Sequence, residues 1–266
     1  ALAAAHTPFA YYYGRVARLV DEFLGYIENI LQKSRRIIED PERHRQGDRP
    51  DLFKAMQEEG KDNPDPKEWV KRILPTRINI ARALLIDASG SMGGASVGGR
   101  AEEKASDKAD RAIETAVLDM ETGDRLESHD LIMVFNEKAT ILKQLDEPLT
   151  PQKKEEIVSG ITASMGGGST HDGDAVMLAV DKLRGYPADR KIIVVITDGE
   201  GNGPSKVQDA IALAKASGIE VIGIGVGEGT SYVARVYPHH VSVPDPNEIP
   251  REYAKLLDEL GFTESE

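Results

Sequence analysis

The sequence predicts an α/β fold: a mainly parallel central sheet with one antiparallel strand and helices on both faces, behind an α-helical N-terminal extension. Three observations carry this. From about residue 77 onward, short apolar runs alternate with stretches of helical period, which is the pattern of right-handed β-α-β crossovers. The runs 83–86 and 191–196 are apolar without alternation, as in strands buried on both faces. Upstream, Val16, Leu19, Val20, Phe23, Leu24, Ile27, Ile30 and Leu31 recur at helical spacing and make one apolar stripe.

At 266 residues the chain is long enough for one large domain or a domain with an extension. We divide it into a helical extension, 1–76, and an α/β domain, 77–266. Apolar residues make up 40% of the chain, enough for a substantial core. The formal net charge of −12 argues against a nucleic-acid backbone or an anionic membrane surface as partner. There are no cysteines, which excludes disulfides and thiolate metal sites and suits a reducing, cytoplasmic setting. No apolar run approaches the roughly 20 residues of a membrane span. Residues 1–5 lack the basic flank and apolar region of a signal peptide.

Taken in order, residues 11–39 read as a long helix ended before Pro41, and 46–50 as a turn. Asp51 is placed to cap a short helix through Met56, and 60–68 is a Gly- and Pro-containing linker. Residues 69–74 fit no single type. Residues 78–86 make a strand, 93–99 a glycine-rich loop, and 104–120 a helix with Ala105, Ala109, Ala112, Ile113, Ala116, Val117 and Met120 on one face. Strands follow at 130–135 and 139–145, the second turned back by Asn136 and Glu137. A short helix over 151–159 has Thr150 as its cap and Pro151 at its first position. A helix from Thr170 to about 183, a buried strand at 191–196, a helix at 205–217 stopped by Gly218, and a strand at 219–226 complete the alternation. An edge strand at 241–243 and a closing helix at 246–260 end the domain.

The candidate site begins in this pattern. The run 83–86 ends in Asp87-Ala88-Ser89-Gly90-Ser91, three oxygen-bearing side chains crowded into a turn after a central strand. Thr170 follows three glycines and a serine at a helix start, and Asp198 follows the buried strand 191–196 directly. Each alone reads as a capping or turn residue. Together they place five hard oxygen groups at the carboxyl edge of the sheet, where open α/β sheets bind ligands. Hydroxyl and carboxylate oxygens with retained waters suit Mg²⁺ or Mn²⁺ better than Zn²⁺, which prefers nitrogen and sulfur. A site with neutral hydroxyls around the ion leaves it electron-poor, and a carboxylate from another protein can complete it.

Asp87-x-Ser89-x-Ser91, Thr170 and Asp198 resemble the metal-ion-dependent adhesion site of von Willebrand factor A domains, and the element order from about 77 to 262 is similar to that Rossmann-like fold. The resemblance implies a noncatalytic protein-binding domain that holds Mg²⁺, with Mn²⁺ or Ca²⁺ as alternatives. It further implies that Ser89, Ser91 and often Thr170 touch the metal. Asp87 and Asp198 often act through water, with the direct role shifting between Thr170 and Asp198. A narrower likeness lies in Thr170-His171-Asp172-Gly173-Asp174-Ala175, in Ile196-Thr197-Asp198-Gly199 and in the stretch from Gly47 to Leu52. These are similar to the C-terminal A domains of the NorD, CbbO and CobT proteins, which work beside MoxR-type AAA+ ATPases. It implies an adaptor that links such an ATPase to a target complex for activation, remodelling or metal insertion.

Two alternatives use the same residues: a metal-dependent phosphohydrolase built on Asp87, or an A domain whose metal is structural. Against catalysis, there is no P-loop and no Gly-x-Ser-x-Gly elbow, and Ala88 and Ser89 stand where a haloacid-type phosphatase places a second Asp. Gly223-Ile224-Gly225-Val226-Gly227 lies inside the expected strand, so close packing explains it better than dinucleotide binding. His239 and His240, adjacent in a strand, face opposite sides and cannot readily share a metal. His171 reads as a solvated helix-start residue, and Tyr11, Tyr12 and Tyr13 as packing at the start of the long helix.

Overall fold

The computed structural model describes residues 7–34, 38–39, 49–50, 69–70, 72–73, 79–97, 107–199, 203–226, 231–243 and 248–259. The chain divides into two compact units, Ala1–Ile27 with Asn79–Phe262, and Glu28–Ile78 with Thr263–Glu266. Helix α1 spans Pro8–Ser34. In the smaller unit, β1 (Ile38–Glu39), β2 (Arg49–Pro50), β3 (Trp69–Val70) and β4 (Arg72–Ile73) form two antiparallel ladders, β1 with β4 and β2 with β3. The long helix expected to reach residue 39 therefore gives way to β1 instead. The β-branched Ile38 favours extended backbone, and β1 pairs with β4. The short helix expected after Asp51, and the boundary expected at 76, lie outside the described residues.

The larger unit runs β5 (Ile80–Asp87), α2 (Asp107–Arg125), β6 (His129–Phe135), β7 (Ala139–Lys143), α3 (Pro151–Ser164), α4 (Asp172–Leu183), β8 (Arg190–Thr197), α5 (Pro204–Ala216), β9 (Glu220–Val226), α6 (Ser231–Val236), β10 (His239–Val243) and α7 (Ile249–Glu259). These strands form one sheet in the order β10-β9-β8-β5-β6-β7. Every neighbouring pair is parallel except β6 with β7, the pairing expected to be antiparallel. At the start of α3 the Thr150 hydroxyl accepts the Lys153 N–H at 3.1 Å, with Pro151 in the first turn, as its sequence indicates. Among the described residues, no helix is long and apolar enough to cross a membrane.

Both faces of the sheet are covered, which is why residues 83–86 of β5 and 192–196 of β8 read as unbroken apolar runs. On one face Ala81, Ala83 and Leu85 of β5 and Ile193 and Val195 of β8 share a core with α4, α5 and α6. The alternate residues Leu84, Ile86, Val194 and Ile196 are equally buried on the other face. Helix α2 contacts β5, β6, β8 and β9 there. Helix α1 buries Tyr12, Val16, Leu19, Val20 and Phe23, and Phe23 stacks on Tyr253 of α7 at 5.2 Å.

One ion network is fully internal. Arg82, near the start of β5, donates from Nε to Asp130 Oδ1 at 2.9 Å and from Nη2 to Asp130 Oδ2 at 3.0 Å. Its Nη1 meets Asp119 Oδ1 at 3.0 Å, joining β5, β6 and α2 at the end of the sheet away from Asp87. Burial pushes the Asp119 carboxyl up, and the Arg82 charge opposes that shift. Removing one partner of such a pair leaves an uncompensated buried charge. Arg82→Met, which leaves both Asp119 and Asp130 without their guanidinium partner, is therefore expected to cost about 3–5 kcal/mol of folding free energy by urea denaturation, far more than the loss of a surface ion pair. A loss below about 1 kcal/mol would contradict the burial of this pair.

Candidate functional site

The site sits where the sheet order reverses. β5 pairs with β6 on one side and with β8 on the other. The chain leaves β5 for β6 and returns to β8 only after α3 and α4, so the loops after β5 and β8 part and leave a crevice at the strands' carboxyl ends. Asp87 closes β5 and Thr197 closes β8. Ile86 pairs with Ile196, which sets the two end residues level.

Asp87 is fully buried. Its Oδ1 accepts the Ser89 N–H at 2.9 Å, and its Oδ2 accepts the Thr197 hydroxyl at 2.7 Å. The Thr197 oxygen in turn accepts the Gly199 N–H at 3.1 Å. Burial raises the Asp87 carboxyl above its ordinary range, and the hydrogen bonds from Ser89 and Thr197 pull the other way. The chain then tightens into a 3₁₀ turn, Gly90–Met92. There the hydroxyls of Ser89 and Ser91 lie 3.1 Å apart, and the Ser91 hydroxyl donates to Asp198 Oδ1 at 3.2 Å. Asp198 Oδ2 accepts from Lys108 Nζ at 3.0 Å.

Thr170 is brought to the same place by backbone bonds. The Gly90 N–H donates to Gly168 O at 2.9 Å, Gly167 N–H to Ala88 O at 3.0 Å, and His171 N–H to Asn136 O at 3.0 Å. The first two stitch the loop before α4 onto the turn after β5, and the third ties it to the turn after β6. Gly168 has φ +73°, and a Cβ there would come within 2.8 Å of Glu137 Cγ, so the loop needs glycine twice over. Thr170 is buried, and α4 opens two residues later than expected, at Asp172. Asp172 is also buried, and its carboxyl is pushed up to about 6 by burial, with the nearby Asp87 charge adding to it.

The structure links Asp87, Ser89, Ser91 and Asp198 in one run of hydrogen bonds, and the loop leading to Thr170 is bonded through Gly167 and Gly168 to the turn that carries the two serines. Among the described residues, no three His, Asp or Glu side chains form a metal-sized cluster, because this donor set is largely hydroxyl. It is oxygen throughout, which suits a hard divalent cation. Sequence reasoning missed Thr197, although it lies inside the quoted Ile196–Gly199 segment. It also missed Lys108, Asp172, and the anchor at Asp110. Asp110 Oδ1 accepts from Tyr12 Oη of α1 at 2.7 Å and from the Ser96 N–H at 2.9 Å, and the Ser96 hydroxyl bonds its other oxygen.

The discounted signals resolve as packing. Gly223 lies in β9, where a Cβ would meet the Tyr237 ring at 2.6 Å. His239 Nε2 lies 3.4 Å from Glu220, whereas His240 Nδ1 lies 3.2 Å from the Tyr237 carbonyl. His171 is exposed at the start of α4.

Residues 83–236 match the von Willebrand factor type A domain. The chain belongs to this family. Its members are typically metal-dependent protein-interaction modules rather than enzymes. Among solved structures, the D319A mutant of the PilB minor pilin from Streptococcus sanguinis aligns with TM-score 0.54 at 17% identity, over 74% of this chain and 66% of that one. An aerotolerance-related membrane protein from Bacteroides fragilis, carrying multiple mutations to serines, aligns at 0.50 and 18%, over 68% of this chain and 99% of that one. Proximal thread matrix protein 1 from the mussel byssus, with a zinc-occupied MIDAS motif, aligns at 0.49 and 19%, over 68% and 46%, a score too low to carry an argument here. The A domain of this chain spans 66% of the pilin and under half of the byssus protein, so these likenesses establish the fold alone. A comparison with curated proteins returned no match.

Thr197→Val removes the hydroxyl on which the buried Asp87 carboxylate rests. The expected loss is about 1–3 kcal/mol in urea denaturation, with Thr197→Ser recovering most of it. Equal losses in the two variants would show that the methyl packing, and not the hydrogen bond, sets the stability.

Proposed function

We propose that this A domain is a metal-dependent protein-binding module. Its divalent cation is held by Asp87, Ser89, Ser91, Thr170 and Asp198. The observation that carries the reading is the continuous row of oxygens from Ser89 through Ser91 to Asp198, beside the fully buried Asp87. Two carboxylates and three hydroxyls, carried on three separate loops at one edge of the sheet, are a donor set that suits a hard ion. Mg²⁺ is the proposed ion, with Mn²⁺ and Ca²⁺ as the other oxygen-preferring candidates. When bound, the ion supplies a Lewis-acidic site for a carboxylate offered by a partner protein. The chain's own residues hold the ion and keep Asp87 in place through Thr197.

The partner class follows from the likeness of the Thr170–Ala175 and Ile196–Gly199 segments to A domains that work with MoxR-type AAA+ ATPases. We propose an adaptor role beside such an ATPase, which would place the protein in the cytoplasm, with residues 77–266 as the A domain and 1–76 as its extension. A phosphohydrolase is disfavoured by Asp87 itself. It has no exposed surface and both carboxylate oxygens accept hydrogen bonds, so it is not poised as a nucleophile.

Titration of the purified chain with Mg²⁺ or Mn²⁺ tests the metal. At an ion concentration about 100-fold above Kd, the wild type is expected to gain about 2.7 kcal/mol of stability. Ser89→Ala and Asp198→Ala are expected to lose most of that gain. Capture of a MoxR-type ATPase is expected to vanish in EDTA and in Asp87→Ala. Capture that is metal-independent and survives Asp87→Ala would overturn the mechanism.

A further inference from the structure

We propose that Lys108 is a tethered cation that competes with the divalent ion for Asp198, and so sets how tightly this site holds its metal. The inference rests on the metal-binding reading above.

Lys108 is the second residue of α2, and its ammonium lies 3.0 Å from Asp198 Oδ2. The Asp198 side chain is fully buried, whereas that of Lys108 keeps 29% exposure. The other Asp198 oxygen faces the Ser91 hydroxyl at 3.2 Å. One carboxylate is therefore shared between the row of hydroxyls proposed as ligands and a monovalent cation from another element. A divalent ion drawing on Asp198, directly or through water, stands beside that ammonium and is repelled by it. Its binding must weaken the Lys108 contact. The affinity measured for the ion is then the difference between two cations' hold on one carboxylate.

The start of α2 does not drift away to relieve the conflict. Two residues on, Asp110 is held by Tyr12 Oη of α1 at 2.7 Å and by the Ser96 N–H at 2.9 Å. Those bonds fix the helix end from which Lys108 reaches. What can move is the four-carbon stem of the lysine, which already touches solvent. Ion binding thus swings the ammonium outward without unseating α2.

The test is calorimetric titration of the purified chain with Mn²⁺ and Mg²⁺ at one fixed ionic strength, for wild type, Lys108→Met and Lys108→Arg. Lys108→Met is expected to bind the ion roughly ten-fold more tightly, as removal of a like charge a few ångströms away implies. Lys108→Arg keeps the charge and is expected to stay within about two-fold of wild type. In EDTA, Lys108→Met is expected to melt below wild type, because buried Asp198 has lost the ammonium 3.0 Å from its Oδ2, and to show the larger rise on adding metal. If wild type binds the ion and Lys108→Met binds it equally or more weakly, the inference is overturned while the metal site stands. If neither wild type nor Lys108→Met binds Mn²⁺ or Mg²⁺, the metal site is overturned and the inference falls with it.

Discussion

The parallel pairing of β5 with β8 is the constraint on which the site depends. The two strands are neighbours in the sheet but distant in sequence, and their register sets Asp87 level with Thr197. A one-residue slip would turn every side chain of β5 to the opposite face and carry Asp87 away from its hydroxyl partner. Such a slip is resisted along the whole strand, because alternate residues of β5 fill cores on both sides of the sheet. At the far end Arg82 bonds Asp130 and Asp119. β5 therefore carries a buried network of one arginine and two aspartates at one end and further buried aspartates at the other. The first holds the strand in place. The second is where charge is left for a ligand to answer.

The electrostatics of the crevice follow from burial. Asp87, Asp172 and Asp198 are all nearly or fully removed from solvent. Burial raises the carboxyls of Asp87 and Asp172, and the charge of Asp87 raises that of Asp172 further. Hydroxyls and backbone N–H groups offset part of this cost, which is why Ser89, Ser91 and Thr197 cluster here. A cation offsets more. Lys108 supplies one positive charge to Asp198, and a divalent ion would supply two to the whole group. The hydrogen bonds of Gly167 and Gly168 to Ala88 and Gly90 hold the loop before α4 against the turn after β5.

Much of this was legible in the sequence, for identifiable reasons. Asp87, Ser89 and Ser91 lie in one turn, so their spacing alone shows that they converge. Thr170 precedes a helix and Asp198 follows a strand whose types are clear from their apolar patterns, so both can be assigned to the same edge of the sheet. The antiparallel β7 and the capped start of α3 were equally readable from local residues. The contacts that were not readable are long-range. Tyr12 and Asp110 are 98 residues apart, and Lys108 and Asp198 are 90 apart, joined only by the packing of α1 and α2 on the sheet. Helix α6 was missed because six residues are too few to show a period, although Val233 and Val236 are buried. The helix expected to run to 39 is described to Ser34, and Ile38–Glu39 pair as a strand instead, a long-range pairing that the apolar stripe before them does not show.

Because the row of oxygens from Ser89 to Asp198 is the central claim, locating the ion tests it most directly. Crystals grown with Mn²⁺ and measured at the manganese absorption edge would give an anomalous peak at the ion itself. The account predicts one such peak within coordination distance of the Ser89 and Ser91 hydroxyls, with Thr170 or Asp198 as a further ligand. A peak elsewhere on the molecule, or none at a saturating concentration, would contradict it.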